Sequence, residues 1–326
     1  MTNSRNGSPS ISYVRPQVLA FVACAIGLAL LSPVQVIASP TKTLDLSFTT
    51  MPHWRAGPMP WPPNAQPFSD PEFMLSAGLM SGLRPAYKKI AGSDPAWASL
   101  PNEEEAYPDG DAVSNLAISP FAVQDGALLL TASPIEAHVA TTLPADMPRK
   151  FVSGAFNTYP FSQTYGYFEI TAKVPAGPGL WPAFWLLPVD QSWPPEIDVA
   201  EVLGHSMHTA YFSLHTGDKD WVASQHDSYH GSTTTEKVTG EADLSAQFHR
   251  YAVDWTASTI IFYLDGKVVG SRPTPADMHK PFYLIINLAV GDTNSWPGPP
   301  TAQTRFPASL AIQSIKIWAR DNDARK

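Results

Sequence analysis

The sequence predicts an all-β domain, a sandwich of two antiparallel sheets packed face to face as a jelly roll. Between residue 113 and residue 320, short alternating or apolar segments are separated by turn signals such as Asp125-Gly126. These segments are rich in β-branched and aromatic residues, and none keeps the 3.6-residue period of an amphipathic helix. Both features favour antiparallel sheets over alternating βαβ units.

At least seven strands are predicted, in chain order. They lie in the seven segments FAVQDGALLLTAS, YGYFEITAKV, HTAYFSLHT, HRYAVDWT, TIIFYLDGKVVGS, PFYLIINLAV and LAIQSIKIWA. The apolar run LIINLAV is typical of a strand covered on both faces. Upstream, residues 39 to about 100 are rich in proline and tryptophan, which predicts a wrapping loop because proline lacks an amide donor. A weak helical signal at residues 70–91 is interrupted by glycine and proline, so this segment is predicted to be irregular.

The first 38 residues predict a secretory signal peptide. Two arginines precede an apolar run of 14 residues, VLAFVACAIGLALL, and cleavage is expected after Ala38. The run is short for a membrane-spanning helix, and an uncleaved anchor is the alternative. We therefore expect export to the periplasm or the extracellular space. Cys24 is the single cysteine and lies in this run, so the processed protein would have no disulfide, thiol nucleophile or cysteine-ligated metal.

Composition and charge limit the partners of the mature chain. The net charge is -8, and removing residues 1–38 removes two arginines and no acids, which gives -10. Nucleic acids and anionic membrane surfaces are therefore not expected as partners. Residues 39–326 suffice for one core and are predicted to form a single domain. Ten tryptophans and eleven tyrosines favour an aromatic-lined sugar cleft, with plain core packing as the alternative for about half of the tryptophans.

Three acids crowd one predicted strand within WPPEIDVAEVLG, residues 193–204. Glu196 and Asp198 are two residues apart and share a face, whereas Glu201, five residues after Glu196, would point the other way on a regular strand. A β-bulge would return Glu201 to the shared face. The two glutamate Cα atoms would then lie roughly 13 Å apart. On a concave strand their carboxyl groups can approach to about 5 Å, the separation that retaining glycosidases use.

Such a triplet suits acid–base chemistry. One glutamate can attack an anomeric carbon while the other protonates the leaving oxygen and later deprotonates water, and a third acid between them forces one pKa upward. The alternatives are a solvated acidic edge and a Ca²⁺ site. Calcium usually draws its oxygens from a loop with Asp, Asn and Gly spacing, and EIDVAE is mostly hydrophobic between its acids. Catalysis is therefore the favoured interpretation.

A series of motifs runs in order over about residues 102 to 320. They are YGYFEITAKVPAGPGLWPAFWLLP, EIDVAE, FHRYAVDW, FYLDGKVV, PFYLIINLAVGD and SWPGPP. This series resembles glycoside hydrolase family 16, which contains jelly-roll endo-β-glucanases, laminarinases and agarases, and the acid motif resembles the bulged form of that family's signature. The resemblance implies a concanavalin-like jelly roll with a concave substrate cleft.

The resemblance also implies residue roles. Glu196 would be the nucleophile, Glu201 the general acid/base and Asp198 the assisting acid. His215 would face the catalytic centre, with a structural histidine as the alternative. The implied sugar contacts are Asn102, Glu169, Trp181, Trp185, Trp193 and Trp296; for Trp181 and Trp185 a core role is the alternative.

The implied function is that of a secreted, endo-acting, retaining β-glycoside hydrolase. Many relatives have glycine before the first glutamate, where Pro194 and Pro195 stand here, and arginine at the position of Thr171. These departures leave the substrate open, and a mixed β-1,3/β-1,4-glucan or a glucose-rich exopolysaccharide is favoured over marine galactans. A transglycosylase of the same fold and a non-catalytic glycan-binding protein are the alternatives.

No cofactor is expected to be required, because the sequence has neither a glycine-rich phosphate loop nor Cys/His ligand spacing. A structural Ca²⁺ occurs in many members of the resembled family. The sequence does not identify its ligands here.

Overall fold

The computed structural model describes residues 41–48, 76–77, 97–108, 120–143, 149–158, 162–224 and 233–319. All of them belong to one unit, Ser39–Lys326. The predicted signal peptide and most of the segment 70–91 lie outside the described residues. Within the described part, no helix is long and apolar enough to cross a membrane.

The described residues form two β-sheets. The large sheet has eleven strands, β1 (Thr41–Ser47), β3 (Trp97–Ala98), β4 (Glu105–Pro108), β5 (Phe121–Gln124), β6 (Ala127–Pro134), β7 (Phe151–Val152), β9 (Gly166–Lys173), β14 (His249–Trp255), β15 (Thr259–Leu264), β16 (Lys267–Pro273) and β18 (Ala308–Ala319). The small sheet has seven, β2 (Ser76–Ala77), β8 (Ala155–Asn157), β10 (Leu180–Pro188), β11 (Glu196–Glu201), β12 (Thr209–His215), β13 (Thr233–Thr239) and β17 (Phe282–Val290). Short helices α1 (Ala137–Ala140) and α2 (Lys219–Ser224) and the 3-10 turn Ala276–Met278 lie between strands.

The strand order confirms the predicted sandwich of all-β class. The large sheet runs β16-β15-β14-β9-β18-β6-β7-β4-β3, with β1 paired to β18 and β5 to β6. The small sheet runs β13-β12-β11-β10-β17-β8-β2. Every paired strand is antiparallel except β4 with β7, which the sequence analysis did not anticipate. Strands β4 and β7 are joined through β5 and β6, a connection long enough to allow parallel pairing.

The main core lies between the sheets and follows the period-2 alternation of the strands. In β9, Phe168 and Ile170 are buried in this core while Glu169 lies on the opposite face. In β12, Phe212 and Leu214 enter the core and the intervening side chains face away from it.

A second apolar cluster covers part of the other face of the small sheet. Tyr107 packs there with side chains of β8, β10 and β17, including Trp185 and Ile285. Strand β17 is consequently buried along its whole length, as the run LIINLAV predicts. The acids of β11 lie on this same face of the sheet, next to the covered area, and β12 and β13 follow toward the sheet edge.

Candidate active site

A β-bulge in β11 brings the three acids to one face. Against β10, Trp185 pairs with Asp198 and Phe184 pairs with Ala200, so Val199 has no partner of its own. Against β12, Asp198 pairs with Ser213 and Glu201 pairs with Tyr211. Strand β11 therefore advances three residues between these two pairs while β12 advances two. Val199 and Ala200 are both buried in the core. The bulge predicted from the spacing is therefore present, and Glu196, Asp198 and Glu201 share the face that we call the acid-bearing face.

Glu196 is held from the side of the loop that precedes β11. The indole Nε1 of Trp193 donates a hydrogen bond of 2.9 Å to Glu196 Oε2. The Trp193 ring is 49% exposed and lies 6.2 Å from the ring of His215. Trp193 therefore fixes one oxygen of this carboxylate and offers an accessible aromatic surface beside it.

His215 lies against Glu196 and Asp198, as predicted. It pairs with Glu196 in the register of β11 and β12. Its Nε2 is 2.9 Å from Asp198 Oδ2 and 3.9 Å from Glu196 Oε1. Asp198 is only 3% exposed, so the imidazole is a polar partner for a carboxyl group that water scarcely reaches.

Glu201 has an environment that favours its protonated form. Burial and the negative charge of Asp198 raise the pKa of the Glu201 carboxyl well above its ordinary value. Trp181 Nε1 donates a 3.1 Å hydrogen bond to Glu201 Oε1, which acts in the opposite direction and stabilises the carboxylate. A carboxyl with a raised pKa and a donor that supports its anion can both give and take a proton.

Three aromatic side chains, Trp181, Tyr211 and Trp296, form what we call the aromatic wall beside Glu201. The Trp181 and Trp296 rings are 6.0 Å apart and perpendicular, and the Tyr211 and Trp296 rings are 4.5 Å apart. Trp296 is 48% exposed. Sequence reasoning missed Tyr211, although its spacing of four residues from His215 on one strand places both on the same face. Rings exposed beside acids suit the apolar faces of sugars.

Two further predicted contacts, Asn102 and Trp185, lie on either side of β17. Asn102 is exposed, and its carbonyl accepts a hydrogen bond of 3.2 Å from the Asp292 amide just beyond β17. Trp185 is 5% exposed, packs in the second cluster, and donates through Nε1 to Asn287 Oδ1 at 2.9 Å. The surroundings of Trp185 match the packing alternative, and the sugar-binding role of Asn102 stays a prediction.

The structure does not bring Glu169 to the acids, so the expectation that it contacts the same sugar is wrong. Glu169 lies on β9 of the large sheet, between Ala252 and Lys316 in register. Its neighbours Phe168 and Ile170 fill the core, so Glu169 faces away from the small sheet, where it accepts a 3.2 Å hydrogen bond from Tyr167. The core separates it from the acid-bearing face.

Among the described residues, one group has the spacing of a metal site. It consists of Glu196, Asp198 and His215, whose potential metal-ligand atoms all lie within 4.8 Å of one another. The group mixes carboxylates with an imidazole, whereas calcium prefers oxygen ligands alone. It does not fit the structural Ca²⁺ that the family resemblance implied. The calcium site stays a prediction without assigned ligands.

A second set of acids, which sequence reasoning missed, lies beside Tyr107, where the second apolar cluster covers the acid-bearing face. Tyr107 donates a 3.4 Å hydrogen bond to Glu103 Oε2, and Asn287 Nδ2 donates to Tyr107 at 3.1 Å. Glu105 Oε2 accepts a 2.7 Å hydrogen bond from the Val290 amide. Burial raises the pKa of the Glu103 carboxyl well above its ordinary value, and burial also raises that of Glu105. We call Glu103 and Glu105 the buried pair.

The chain is similar to carbohydrate-active proteins over most of its described length. Residues 125–309 match the family described as Glycosyl hydrolases family 16. Over 207 residues the chain is 38% identical to the endo-1,3-1,4-beta-glycanase EglC of Rhizobium meliloti (strain 1021), an alignment that covers 63% of this chain and 41% of that protein. Over 229 residues it is 36% identical to ExsH, an endo-1,3-1,4-beta-glycanase of the same organism, covering 70% and 46%. The chain thus spans less than half of either relative.

The fold is also similar to a solved structure. The laminarinase catalytic domain from Thermotoga maritima MSB8 superposes with a TM-score of 0.55 at 27% identity. The superposition covers 67% of this chain and 83% of that domain. The overall fold of this chain is therefore shared with a solved laminarinase catalytic domain.

Proposed function

We propose, since this chain belongs to family 16 of the glycosyl hydrolases, that it is an endo-acting retaining β-glucanase that cleaves glucans with β-1,3 and β-1,4 linkages. The observation that supports this proposal most is the bulge that sets Glu196 and Glu201 on one face of β11 in different environments. Glu196 has an indole donor and a nearby imidazole, while Glu201 has a raised pKa. Two carboxyl groups with separate pKa values can divide nucleophilic and acid–base work.

In the first step, the carboxylate of Glu196 attacks the anomeric carbon of the sugar. Glu201 gives its proton to the glycosidic oxygen, the bond between that oxygen and the anomeric carbon breaks, and the leaving sugar departs with the proton. The product is a glycosyl ester on Glu196. The Trp193 indole holds Glu196 Oε2 by a hydrogen bond, which orients the carboxylate.

In the second step, Glu201 is a carboxylate and takes a proton from water. The water oxygen attacks the anomeric carbon, the ester bond breaks, and Glu196 returns to its ionised form. Two inversions leave the β configuration unchanged. The hydrogen bond from Trp181 stabilises Glu201 while it carries its negative charge.

Asp198 sets the proton balance of this cycle. Its charge is one cause of the raised pKa of Glu201, so Glu201 is protonated when the first step begins. His215 Nε2 lies 2.9 Å from Asp198 Oδ2, a distance at which the imidazole positions the Asp198 carboxyl group. We assign to Asp198 the role of raising the pKa of Glu201, and to His215 the role of positioning Asp198.

The relatives and the exposed aromatic rings support the proposed substrate class. Two relatives are named as endo-1,3-1,4-beta-glycanases. Trp193 and Trp296 are both about half exposed and lie on the Glu196 and Glu201 sides of the face. An extended glucan can stack on both rings while one internal linkage lies between the acids. We further propose that the enzyme is exported, on the basis of the signal-like pattern in residues 1–38.

A polysaccharide panel tests this function. Purified protein is incubated with mixed-linkage β-glucan, laminarin, cellulose and agarose, and both new reducing ends and product lengths are measured. We expect oligosaccharides of intermediate length from the mixed-linkage glucan, with Glu196→Gln as the inactive control. Binding without new reducing ends would contradict hydrolysis, and products longer than the substrate would indicate transfer instead.

A further inference from the structure

One basic side chain, that of Lys237, lies on the strands of the acid-bearing face. Strands β10, β11, β12, β13 and β17 contain a single lysine, Lys237, and no arginine. Lys237 lies on the edge strand β13 and pairs with Tyr211, which in turn pairs with Glu201. Directly opposed residues on neighbouring strands share a face, so Lys237 points to the acid-bearing face two strands from Glu201.

Lys237 is exposed and touches the aromatic wall. Its Nζ lies 6.0 Å from the centroid of the Tyr211 ring, and the Tyr211 ring contacts Trp296. No salt bridge of Lys237 occurs among the described residues, although its neighbour Glu236 is paired with Arg272 in the direction of the large sheet. The ammonium group is therefore held at the end of the wall and stays available to a ligand.

The Lys237 ammonium group lies on a face that is otherwise negatively charged. Glu196, Asp198 and Glu201 lie on the same face as Lys237, and the whole chain carries a net charge of -8. Such a face repels a glucan that carries negative substituents, while a neutral glucan needs no cation to bind. A single cation at the point where a sugar would stack counters that repulsion locally.

We propose that Lys237 is a specificity-determining residue that binds a carboxylate substituent on a sugar seated against the aromatic wall. The favoured substrate would then be a β-glucan backbone that bears acidic substituents, bound on the Glu201 side of the cleaved linkage. This inference rests on the proposed glucanase function and adds the substrate class to it. An ammonium–carboxylate contact at an exposed rim acts mainly on substrate capture and is weakened by salt.

The test compares two polymers that share one backbone. One is mixed-linkage β-glucan, and the other is the same polymer with a fraction of its primary hydroxyl groups oxidised to carboxylates. For Lys237→Met we expect kcat/KM on the oxidised polymer to fall about fivefold to tenfold, through KM, with less than about a twofold change on the neutral polymer. Lys237→Arg should retain the preference, and added NaCl should reduce the wild-type rate on the oxidised polymer more than that of Lys237→Met.

The matched control is Lys267→Met, which removes the same charge from an exposed position on β16 of the large sheet. It should behave as wild type on both polymers. Equal effects of Lys237→Met on the two polymers would overturn the inference and indicate simple packing against Tyr211. Absence of cleavage of either polymer by the wild type would instead contradict the proposed glucanase function.

Discussion

Two sets of acids lie on the same face of the small sheet, and they differ in what reaches them. The β11 triplet lies between the exposed rings of Trp193 and Trp296. The buried pair, Glu103 and Glu105, is shielded from solvent and lies beside Tyr107, a member of the second apolar cluster that also binds Asn287. Burial raises the pKa of Glu201 and of both members of the pair. A raised pKa therefore does not by itself identify a catalytic carboxyl; access for substrate does.

The two sets of acids also accept hydrogen bonds from different kinds of donor. Glu196 and Glu201 each accept from an indole that is part of the exposed surroundings. Glu105 accepts a hydrogen bond from the Val290 amide and so ties the start of β4 to the end of β17. We infer that the triplet serves the proposed reaction, whereas the pair holds the start of β4 against β17. Substitutions in the two sets should separate activity from stability.

The largest expected effect is at the triplet. Glu196→Gln keeps the shape of the side chain but removes the carboxylate that we propose as the nucleophile, so kcat on mixed-linkage β-glucan should fall by a factor on the order of 10³ or more. Reducing-end assays at saturating substrate measure it, with circular dichroism as the check on folding. The matched variant in the buried pair, Glu105→Gln, should keep wild-type activity within about twofold. Comparable losses of kcat in Glu196→Gln and Glu105→Gln would contradict the assignment of activity to the triplet and of stability to the buried pair.

A smaller effect is expected at the Glu201 hydrogen bond. Trp181→Phe removes a donor that lowers the pKa of Glu201, so this pKa should rise further. Because the first step needs protonated Glu201, activity is lost as pH rises through that pKa, and the basic limb of kcat/KM against pH should move to higher pH. We expect kcat to fall about tenfold, since the second step needs the carboxylate. A basic limb that stays in place or moves to lower pH would exclude this role.

The aromatic wall should contribute to binding more than to turnover. Trp296 is half exposed and contacts Trp181 and Tyr211, so Trp296→Ala removes a stacking surface without opening the core. KM for long glucans should rise roughly fivefold while kcat changes little. Initial rates over a range of glucan concentrations measure the two constants. An unchanged KM would show that the sugar chain does not use this ring.

The smallest effect concerns stability and belongs to the buried pair. The folded-state pKa of Glu105 is raised, so the native state binds more protons than the unfolded state between the two pKa values, and stability falls as pH rises through this window. Glu105→Gln removes this cost and can still accept from Val290. Its Tm should exceed that of the wild type by about 2–4 °C at pH 8 and by less at pH 5. A Tm difference that favours the wild type more at pH 8 than at pH 5 would contradict this reasoning.

Residue spacing along the chain predicted the arrangement of the acids on β11 better than it predicted which other strands surround them. The five-residue spacing from Glu196 to Glu201 on a strand required a bulge, and the register of both neighbouring strands contains it. The sandwich followed from alternation and turn signals. The family resemblance predicted that His215 faces the acids, and its short distance to Asp198 agrees.

What the sequence could not provide is the partner of each strand. Glu169 sits in a motif beside the others along the chain, yet β9 belongs to the large sheet, and alternation cannot tell which sheet a strand joins. The buried pair depends on Asn287, about 180 residues away, meeting Tyr107. Contacts of that kind arise from sheet topology, which no local period encodes.

The most direct test of the paired glutamates is the configuration of the first product. Proton NMR of the anomeric region during the first minutes of hydrolysis of mixed-linkage β-glucan distinguishes the β from the α reducing end before mutarotation. If Glu196 and Glu201 act from one face of the bulged strand as nucleophile and acid/base, the β anomer should appear first and the α anomer should follow slowly. Initial release of the α anomer would contradict this assignment.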